Sequence, residues 1–370
     1  MANAPLKKII TFYCRFTGSY SRIGYHARRV FWRPIKGDFA GQTWLVTGGS
    51  EGIGGSAARS AIDGGATVII AARSLDKMKA FAASTTHPGK VQTEVADFSL
   101  QADIWPMLDR LQARGVRVDV LVNNVGIQKR DQILTKEGIE TSFATNILGH
   151  YLLTRELLER DLLSPNAAVI EVSSGGMYNH AMVPKDLNII GEGYSGPRAY
   201  GLAKRAQVML TSFWRQKYAG GGRSFYAMHP GWVDTASVGR SMPRFRAILK
   251  SVLRDHSEGA DTIVWLAATR PKPQMNDAIW FDRKERSAHI YAHTPKSTAT
   301  PADVVATLES FVQAPASQRS AHAESSLGEK TLDTSAAAPA HHTPSEADRA
   351  WRPASASAVQ GRVGTLQSGR

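Results

Sequence analysis

The segment Tyr200-Gly201-Leu202-Ala203-Lys204 contains two side chains whose types and spacing suit proton transfer. Residues four apart lie on the same face of a helix, so the phenol of Tyr200 and the ammonium of Lys204 are expected side by side. A free tyrosine has a pKa of about 10, and a nearby cation makes it a better acid because the cation stabilises the phenolate. Such a pair also arises by chance, so its meaning depends on the elements around it.

Those elements follow a repeating pattern from residue 41 to residue 312, in which short β-branched runs alternate with longer helical stretches. The predicted strands are Thr43 to Thr47, Val68 to Ala72, Val118 to Asn123, Val169 to Ser173 and Ser224 to Met228. Strands that alternate with helices over one core predict an α/β fold, a doubly wound parallel sheet (Rossmann) with helices on both faces. One strand ends at Ser173-Ser174 and another at Asn123-Asn124, which adds polar groups to the predicted site.

The first strand runs into Thr47-Gly48-Gly49-Ser50-Glu51-Gly52-Ile53-Gly54 and then into an alanine-rich helix. Glycines between a strand and a helix let the backbone approach a pyrophosphate at the positive end of the helix. The sequence therefore predicts a dinucleotide site here. The alternative is a tight turn that binds no ligand.

The residue after the second strand indicates which dinucleotide is preferred. Arg73 stands about twenty residues past the glycines, where an NAD-selective site would have Asp or Glu. A guanidinium can pair with a 2′-phosphate, so NADP(H) is favoured over NAD(H). Glu51 weighs against this preference, because it lies in the glycine loop where NADP sites often have a second basic residue. Asp97 could accept a hydrogen bond from the adenine amino group or simply initiate a turn.

Together these motifs resemble the short-chain dehydrogenase/reductase family over residues 41 to about 290. The matching segments are Thr-Gly-Gly-Ser-Glu-Gly-Ile-Gly at 47 to 54, Asn-Asn-Val-Gly at 123 to 126, Asn146 in Thr-Asn-Ile-Leu-Gly, Ser174, Tyr-Gly-Leu-Ala-Lys at 200 to 204 and His-Pro-Gly-Trp-Val-Asp-Thr at 229 to 235. Ser-Ser-Gly-Gly-Met at 173 to 177, Met-His-Pro-Gly-Trp at 228 to 232 and Phe-Asp-Arg-Lys at 281 to 284 look most like the member 12 branch of that family.

The resemblance implies a catalytic role for four residues. Tyr200 would donate a proton to a carbonyl oxygen, or remove one from an alcohol, while hydride moves to or from the nicotinamide. Lys204 would hold the nicotinamide ribose and favour the tyrosinate. Ser174 would polarise the substrate oxygen, and Asn146 would fix a water that links Lys204 to solvent. Ser174 could instead cap a strand end, and Asn146 a helix bend.

Cofactor contacts are expected at the glycine loop, at the ends of the next strands and in the loop after the last predicted strand. They are Gly48, Ser50, Glu51, Gly52, Ile53, Gly54, Arg73, Asp97, Phe98, Asn123, Val125, Gly126, Tyr200, Lys204, Pro230, Gly231, Val233 and Thr235. Of these, the resemblance implies that Pro230, Gly231 and Val233 line the nicotinamide and that Thr235 binds its carboxamide.

Two further segments bear on how the substrate binds. The interval from Ser174 to Tyr200 is about twice the usual length, and we predict a loop beside the substrate mouth with Met177, Tyr178 and Tyr194 as candidate lining residues. After Thr235, a basic amphipathic stretch with its apolar residues from Val238 to Leu253 on one helical face predicts a substrate lid. It suits a lipophilic carbonyl or alcohol, although the helix could equally pack inward.

The net charge of +13 is unevenly distributed along the 370 residues. Residues 1–40 carry +7 and have apolar residues at spacings of three and four, which predicts a basic amphipathic helix. This helix could lie on an anionic membrane surface, or pack on the domain or a second subunit. Residues 313–370 carry +1 and contain 30 Ala, Ser, Pro or Gly among 58, which predicts a disordered low-complexity tail. Residues 41–312 form the predicted oxidoreductase domain.

Composition limits the other possibilities. No apolar run is long enough to span a membrane and no secretory signal is visible, so we expect a cytoplasmic protein that is not secreted, with possible peripheral membrane contact. The single cysteine, Cys14, excludes an internal disulfide framework. The histidines show no metal-ligand spacing, and no nucleic-acid motif accompanies the basic residues.

The sequence therefore predicts an NAD(P)-dependent oxidoreductase that interconverts a carbonyl and an alcohol. It could form a homo-oligomer. The alternative is a membrane-associated scaffold or sensor that binds the dinucleotide with little catalysis.

Overall fold

Residues 16–313 are described by the structure, a computed structural model. Their centre is one eight-stranded sheet of order β3-β2-β1-β4-β5-β6-β7-β8, parallel except for the final pair. The strands are β1 (Thr43–Thr47), β2 (Thr67–Ala72), β3 (Val91–Val95), β4 (Val118–Asn123), β5 (Leu163–Val172), β6 (Ser224–Met228), β7 (Ala278–Phe281) and β8 (Lys284–Ser287). The predicted doubly wound α/β fold is confirmed.

Ten named helices accompany these strands within residues 16–313. They are α1 (Arg22–Arg29), α2 (Gly52–Asp63), α3 (Leu75–Ala83), α4 (Gln101–Ala113), α5 (Gly149–Glu159), α6 (Gly196–Lys217), α7 (Ala236–Ser241), α8 (Pro243–Leu249), α9 (His256–Thr269) and α10 (Pro301–Glu309). A helical turn at Thr141–Phe143 and a π-helical turn at Ala144–Leu148 lead directly into α5.

The two faces of the sheet are both covered, because side chains alternate along each strand. On β1, Leu45 belongs to one buried cluster, while Trp44 and Val46 belong to the other. Each is fully buried. This two-sided burial explains why the strands read as near-continuous apolar runs.

The strand order reverses direction next to β1, which lies between β2 and β4. Val46 of β1 aligns with Ile70 on one side and with Val122 on the other. The crossovers leave this point in opposite directions, so their loops separate and open a crevice at the carboxyl ends of the strands. The glycine turn follows β1 directly into this crevice.

The N-terminal segment differs from the prediction of one continuous amphipathic helix. Residues 16–20 are helical, the helix breaks at Ser21, and α1 begins at Arg22. Phe16, Tyr20 and Tyr25 are buried against the domain. The apolar residues therefore fall on two faces, because the break at Ser21 changes the phase of the helical repeat.

Those apolar residues that the domain does not cover are Ile23, Val30 and Phe31, which are 56%, 79% and 86% exposed. Residues 1–15, with Cys14, and residues 314–370, with most of the predicted tail, lie outside the described part of the chain.

The predicted lid is also two helices rather than one helical face. Pro243 begins α8 directly after α7, because proline suits the first turn of a helix and interrupts a continuing one. Leu253 is buried, whereas Ile248 is 79% exposed. Between residues 16 and 313, no helix has the length and apolar character that crossing a bilayer requires.

Candidate active site

Tyr200 and Lys204 lie one turn apart on α6, and the Lys204 Nζ is 5.7 Å from the centre of the Tyr200 ring. Ser174 follows β5 and is hydrogen-bonded to the Tyr200 hydroxyl. Gly176 lies against both residues: a Cβ placed on it would be 3.5 Å from the Tyr200 ring and 3.7 Å from Ser174 Oγ. The structure thus brings Ser174, Tyr200 and Lys204 together, as expected.

The Lys204 ammonium is held in the interior, where the side chain is 3% exposed. It donates a hydrogen bond to the carbonyl oxygen of Val172, at 2.9 Å. Burial lowers the pKa of Lys204 to about 8, and the nearby Glu171 carboxylate opposes this shift. The amine is therefore poised to change its charge near neutral pH.

Burial also acts on Tyr200, whose pKa it raises, while the hydrogen bond from Ser174 lowers it. The phenol is therefore fully protonated at neutral pH in the protein alone. This is the form that can give a proton to a carbonyl oxygen.

Asn146 lies in the π-helical turn before α5 and is fully buried. Its amide forms two hydrogen bonds of 2.8 Å with the backbone of Ile127, donating to the carbonyl and accepting from the N–H. Gln207 of α6 donates to the Asn146 carbonyl at 2.9 Å. A Cβ on Gly126 would lie 3.3 Å from both Asn146 Oδ1 and Lys204 Nζ, so these three residues lie close together.

The glycine loop has the shape that a dinucleotide pyrophosphate needs. Gly48 and Gly52 have φ of +64° and +63°, a region that favours glycine. A Cβ on Gly54 would lie 2.4 Å from the Asn124 amide nitrogen, so the helix approaches the strand end closely. Around Gly52 there is open space, and Glu51 at the N-cap of α2 forms no side-chain cap. The residues present therefore fit a phosphate group at this helix end.

Charged residues lie along the part of the crevice next to the end of β2. Arg73 is 72% exposed at the end of β2, and its Nη1 lies 3.6 Å from Asp97 Oδ2. Lys77 of α3 pairs with Glu51 at 3.0 Å. The acidic residue that weighed against NADP(H) in the sequence is therefore neutralised by a basic residue that sequence reasoning missed.

The loop from His229 to Thr235 follows β6. Gly231 has a φ of +77°, and Val233 is buried against Gly259, with Ile53 of the glycine loop also close. Thr235 accepts the Val238 N–H and caps α7. Burial lowers the pKa of His229 to about 3, so the imidazole is neutral and structural.

Two of the expected cofactor contacts have side chains that are buried in the protein. Asn123 is fully buried, and its amide donates to Thr154 at 2.9 Å and to Glu171 at 2.6 Å, so its side chain supports the site from behind. Phe98 is buried in the core beside α4 and α5. The side-chain amide of its neighbour Asn124 donates to the Thr47 carbonyl at the start of the glycine loop.

Two of the three residues expected to line the substrate mouth are also corrected. Met177 and Tyr178 are buried in a cluster with Tyr20 and Phe281. Arg205, itself 2% exposed, donates to the Met177 carbonyl and fixes the turn after Ser174. Tyr194 is partly exposed, and its hydroxyl donates to Glu140 at 3.1 Å.

The remaining expected contacts lie in the glycine loop and in the loops after β4 and β6. Ser50 and Ile53 belong to the glycine loop, and the Val125 N–H donates to Thr47 Oγ1 at 3.0 Å. Pro230 precedes Gly231 in the loop after β6.

The short chain dehydrogenase family model matches residues 42–244, which contain the glycine loop and all four predicted catalytic residues. This chain belongs to that family. Dehydrogenase/reductase SDR family member 12 from Bos taurus is 32% identical over 301 residues, covering 80% of this chain and 94% of the bovine protein.

Two further similarities are more distant or shorter. Retinol dehydrogenase 13 from Mus musculus is 32% identical over 211 residues, covering 56% of this chain and 63% of the mouse protein. The solved structure of an uncharacterised protein from Mycobacterium paratuberculosis is 27% identical, with a TM-score of 0.59, and covers 74% of this chain and 94% of that one.

Family membership identifies the chain as an oxidoreductase that uses a nicotinamide dinucleotide and interconverts carbonyl and alcohol groups on small molecules. Between residues 16 and 313, no group of three or more His, Cys, Asp or Glu side chains is arranged to hold a metal ion.

The lowered pKa of Lys204 predicts a pH-dependent stability difference from a Lys204→Met variant. Between about pH 8 and the ordinary lysine pKa of 10.5, the folded protein has released the proton that the unfolded chain still binds, so rising pH stabilises the wild type. We expect the wild type to gain about 2–3 kcal/mol relative to the variant from pH 7 to pH 10. Urea unfolding at both pH values measures this.

The matched control is Lys217→Met at the exposed end of the same helix, which should show a much smaller change because an exposed ammonium pays little for desolvation. A wild-type minus Lys204→Met difference that does not move with pH would contradict the buried charge.

Proposed function

We propose that the protein is an NADP(H)-dependent oxidoreductase that reduces or forms a lipophilic carbonyl compound, with Tyr200 as the proton donor or acceptor. The observation that carries the proposal is the convergence of Ser174, Tyr200 and the buried Lys204 beside a glycine loop that fits a dinucleotide. A protein that only senses the dinucleotide has no physical need for this set of groups.

In the reductive direction, the substrate oxygen would accept hydrogen bonds from Ser174 and Tyr200, which polarise the carbonyl. A bound reduced nicotinamide would supply the hydride to the carbonyl carbon. As negative charge develops on the oxygen, Tyr200 transfers its proton to it, and the Lys204 ammonium stabilises the tyrosinate that results. Asn146 is held by both the carbonyl and the N–H of Ile127. It would therefore keep the turn beside Lys204 in place while the tyrosinate of Tyr200 regains its proton.

The preference for NADP(H) is supported by two basic side chains at the end of the crevice. Arg73 is mostly exposed and its partner Asp97 is 3.6 Å away, a long contact that a phosphate could replace. Lys77 offsets Glu51 in the glycine loop. A 2′-phosphate would therefore meet the Arg73 guanidinium, and the carboxylate in the glycine loop already has a basic partner.

A lipophilic substrate and a membrane contact are supported by the exposed apolar residues on α1 and α8. Ile23 lies on the outer side of α1, Val30 and Phe31 follow its last residue, and Ile248 lies on α8. The Arg22 N–H donates to the Val252 carbonyl at 2.9 Å, so the start of α1 lies close to the end of α8. Exposed basic residues accompany these helices, namely Arg29, Arg33, Arg240, Arg244 and Lys250. Apolar residues flanked by cations suit an anionic bilayer surface.

The similarity to a retinol dehydrogenase fits the same substrate class, since that relative's name describes an apolar alcohol. α8 also flanks the loop after β6, through the edge-on contact between Trp232 and Phe245, whose ring centres are 5.1 Å apart.

Tyr200→Phe tests the catalytic proposal. Removal of the proton donor should lower kcat by about 10²-fold or more, because general acid–base catalysis contributes about 10²- to 10⁴-fold. The assay is NADPH oxidation with a panel of long-chain aldehydes and retinal. Tyr194→Phe, which removes another hydroxyl from the same region, is the control and should keep most activity. Equal turnover by wild type and Tyr200→Phe would favour the scaffold alternative.

Arg73→Ala tests the preference for the 2′-phosphate. We expect the Kd for NADPH to rise by about tenfold or more while that for NADH changes little, since a bidentate Arg–phosphate contact is lost only with the phosphorylated cofactor. Cofactor fluorescence measures both constants. Lys79→Ala, at an exposed position of the same region on α3, is the control. Equal losses for both cofactors would refute the assignment.

Charges placed on α1 test the membrane contact. A double variant Val30→Asp and Phe31→Asp should lower binding to phosphatidylcholine vesicles containing phosphatidylserine by about tenfold, because it removes apolar area and adds negative charge. Leu75→Asp, at an exposed apolar position of α3, is the control. Cosedimentation with and without phosphatidylserine measures the effect. Wild-type protein that fails to bind either vesicle would exclude the contact.

A further inference from the structure

The turn between β7 and β8 adopts a conformation that its residues disfavour. Asp282 and Arg283 have φ of 50° and 56°, and a two-residue hairpin turn of this kind usually contains Asn-Gly or Asp-Gly. Two successive non-glycine residues in the left-handed region carry a conformational cost, which persists only where surrounding contacts hold them. Both side chains make such contacts, and both contacts lead to the N-terminal segment.

The Asp282 carboxylate is shared by two guanidinium groups. Arg254 donates to both of its oxygens, at 2.6 Å and 2.8 Å, and Arg28 of α1 donates through Nε at 2.7 Å. Arg254 is 1% exposed and Asp282 is 3% exposed. Because a buried charge pair is stable only when its remaining hydrogen-bonding groups are satisfied, the other contacts of Arg254 matter.

Those contacts connect the N-terminal segment to the loop after β6. Arg254 donates to the carbonyl of Pro230 at 3.1 Å, and to the carbonyls of Ser19 and Ser21 at 3.3 Å. Arg28 donates to the Ser19 carbonyl as well. One guanidinium thus joins the hairpin turn, the break before α1 and the start of the loop that follows β6.

Arg283 holds the other end of the same segment. It forms a bidentate pair with Asp261 of α9, at 2.7 Å and 2.6 Å, and donates to the Arg33 carbonyl at 2.8 Å. Its guanidinium also lies 4.4 Å from the centre of the Trp32 ring. The two turn residues therefore fasten both ends of the segment from Ser19 to Arg33.

Tyr20 carries this attachment to the catalytic crevice. Its carbonyl accepts the Trp232 N–H at 2.9 Å, and its ring lies 4.9 Å from the ring of His229. A Cβ on Gly175, directly after Ser174, would lie 3.2 Å from the Tyr20 ring. A Cβ on Gly231 would lie 2.7 Å from the Tyr20 carbonyl, so the loop closes tightly on this residue.

We propose that Asp282 is a positioning residue: by holding Arg254 and Arg28, it fixes the N-terminal segment across the loop from His229 to Thr235, and so sets the shape that receives the nicotinamide. The consequence for the nicotinamide rests on the proposed function. The attachment of the loop rests on the contacts alone.

Asp282→Asn tests this proposal with little change of shape, because asparagine tolerates the left-handed conformation. We expect the backbone amides of Trp232 and Asp234 to exchange with deuterium about tenfold faster or more, with amides of β5 unchanged. We also expect the Kd for NADPH to rise by about tenfold, with a larger effect on KM than on kcat. A general loss of stability would instead speed exchange in β5 as well.

Asp161→Asn is the matched control. Asp161 also has a left-handed φ, of 52°, and also pairs with two arginines, Arg117 and Arg223, but it lies at the start of β5. This variant should leave both exchange in the loop and cofactor affinity unchanged. If Asp282→Asn behaves like Asp161→Asn in both measurements, the proposal is overturned.

Arg254→Lys provides the second variant should Asp282→Asn fold poorly. It keeps the positive charge but loses the fork that reaches Asp282 and three carbonyls, so the loop should again exchange faster. Exchange needs neither cofactor nor turnover. A wild type that binds neither dinucleotide would therefore defeat the proposed function, whereas unchanged exchange in both variants would defeat the positioning role.

Discussion

Burial of the Lys204 ammonium is the constraint on which the site depends. An ion removed from water costs several kcal/mol unless its surroundings compensate it. Here the compensation is the Val172 carbonyl at the end of β5 and the field of the Glu171 carboxylate, one residue earlier on the same strand. Gly126, at the end of β4, leaves the space that the amine occupies beside Asn146. The positions of the β4 and β5 ends and of α6 therefore all depend on accommodating the Lys204 ammonium.

The carboxylate that helps Lys204 is buried too, and it needs partners of its own. Glu171 accepts the Asn123 amide at 2.6 Å and contacts His150 Nδ1 at 3.0 Å. Gln207 lies 3.0 Å from the same imidazole nitrogen and donates to the Asn146 carbonyl. A chain of buried polar groups therefore runs beneath the catalytic residues, and Asn123 belongs to that chain. Its amide cannot face a dinucleotide while it satisfies Glu171, because a buried carboxylate without donors would be costly.

The sequence predicted what depends on local pattern and on family motifs. The parallel sheet, the glycine turn and the grouping of Ser174, Tyr200 and Lys204 were all predictable, because strand ends and helical spacing determine them. Sequence reasoning failed where a distant partner decides the outcome. Met177 appears in a glycine-rich stretch that suggests an exposed loop, yet Tyr20 and Phe281 bury it. The pairing of Lys77 with Glu51 joins residues 26 positions apart, and no periodicity indicates it.

Other errors had a visible cause. Pro243 is a signal for a new helix, and it outweighs an apolar repeat that continues through it. Glycine normally weakens a helix, but a Cβ on Gly24 would lie 2.4 Å from the Gly18 carbonyl, so the glycine permits the tight packing of the two helical pieces. An eight-residue helix is unstable alone, and α1 forms because Arg28 and Asp282 hold its inner face. Ile23, Val30 and Phe31 contribute nothing to that attachment and remain in water at a hydration cost. Ion pairs thus hold this segment to the domain on one side, and its exposed apolar residues lie on the other. Such an arrangement leaves the apolar residues available to contact an apolar partner.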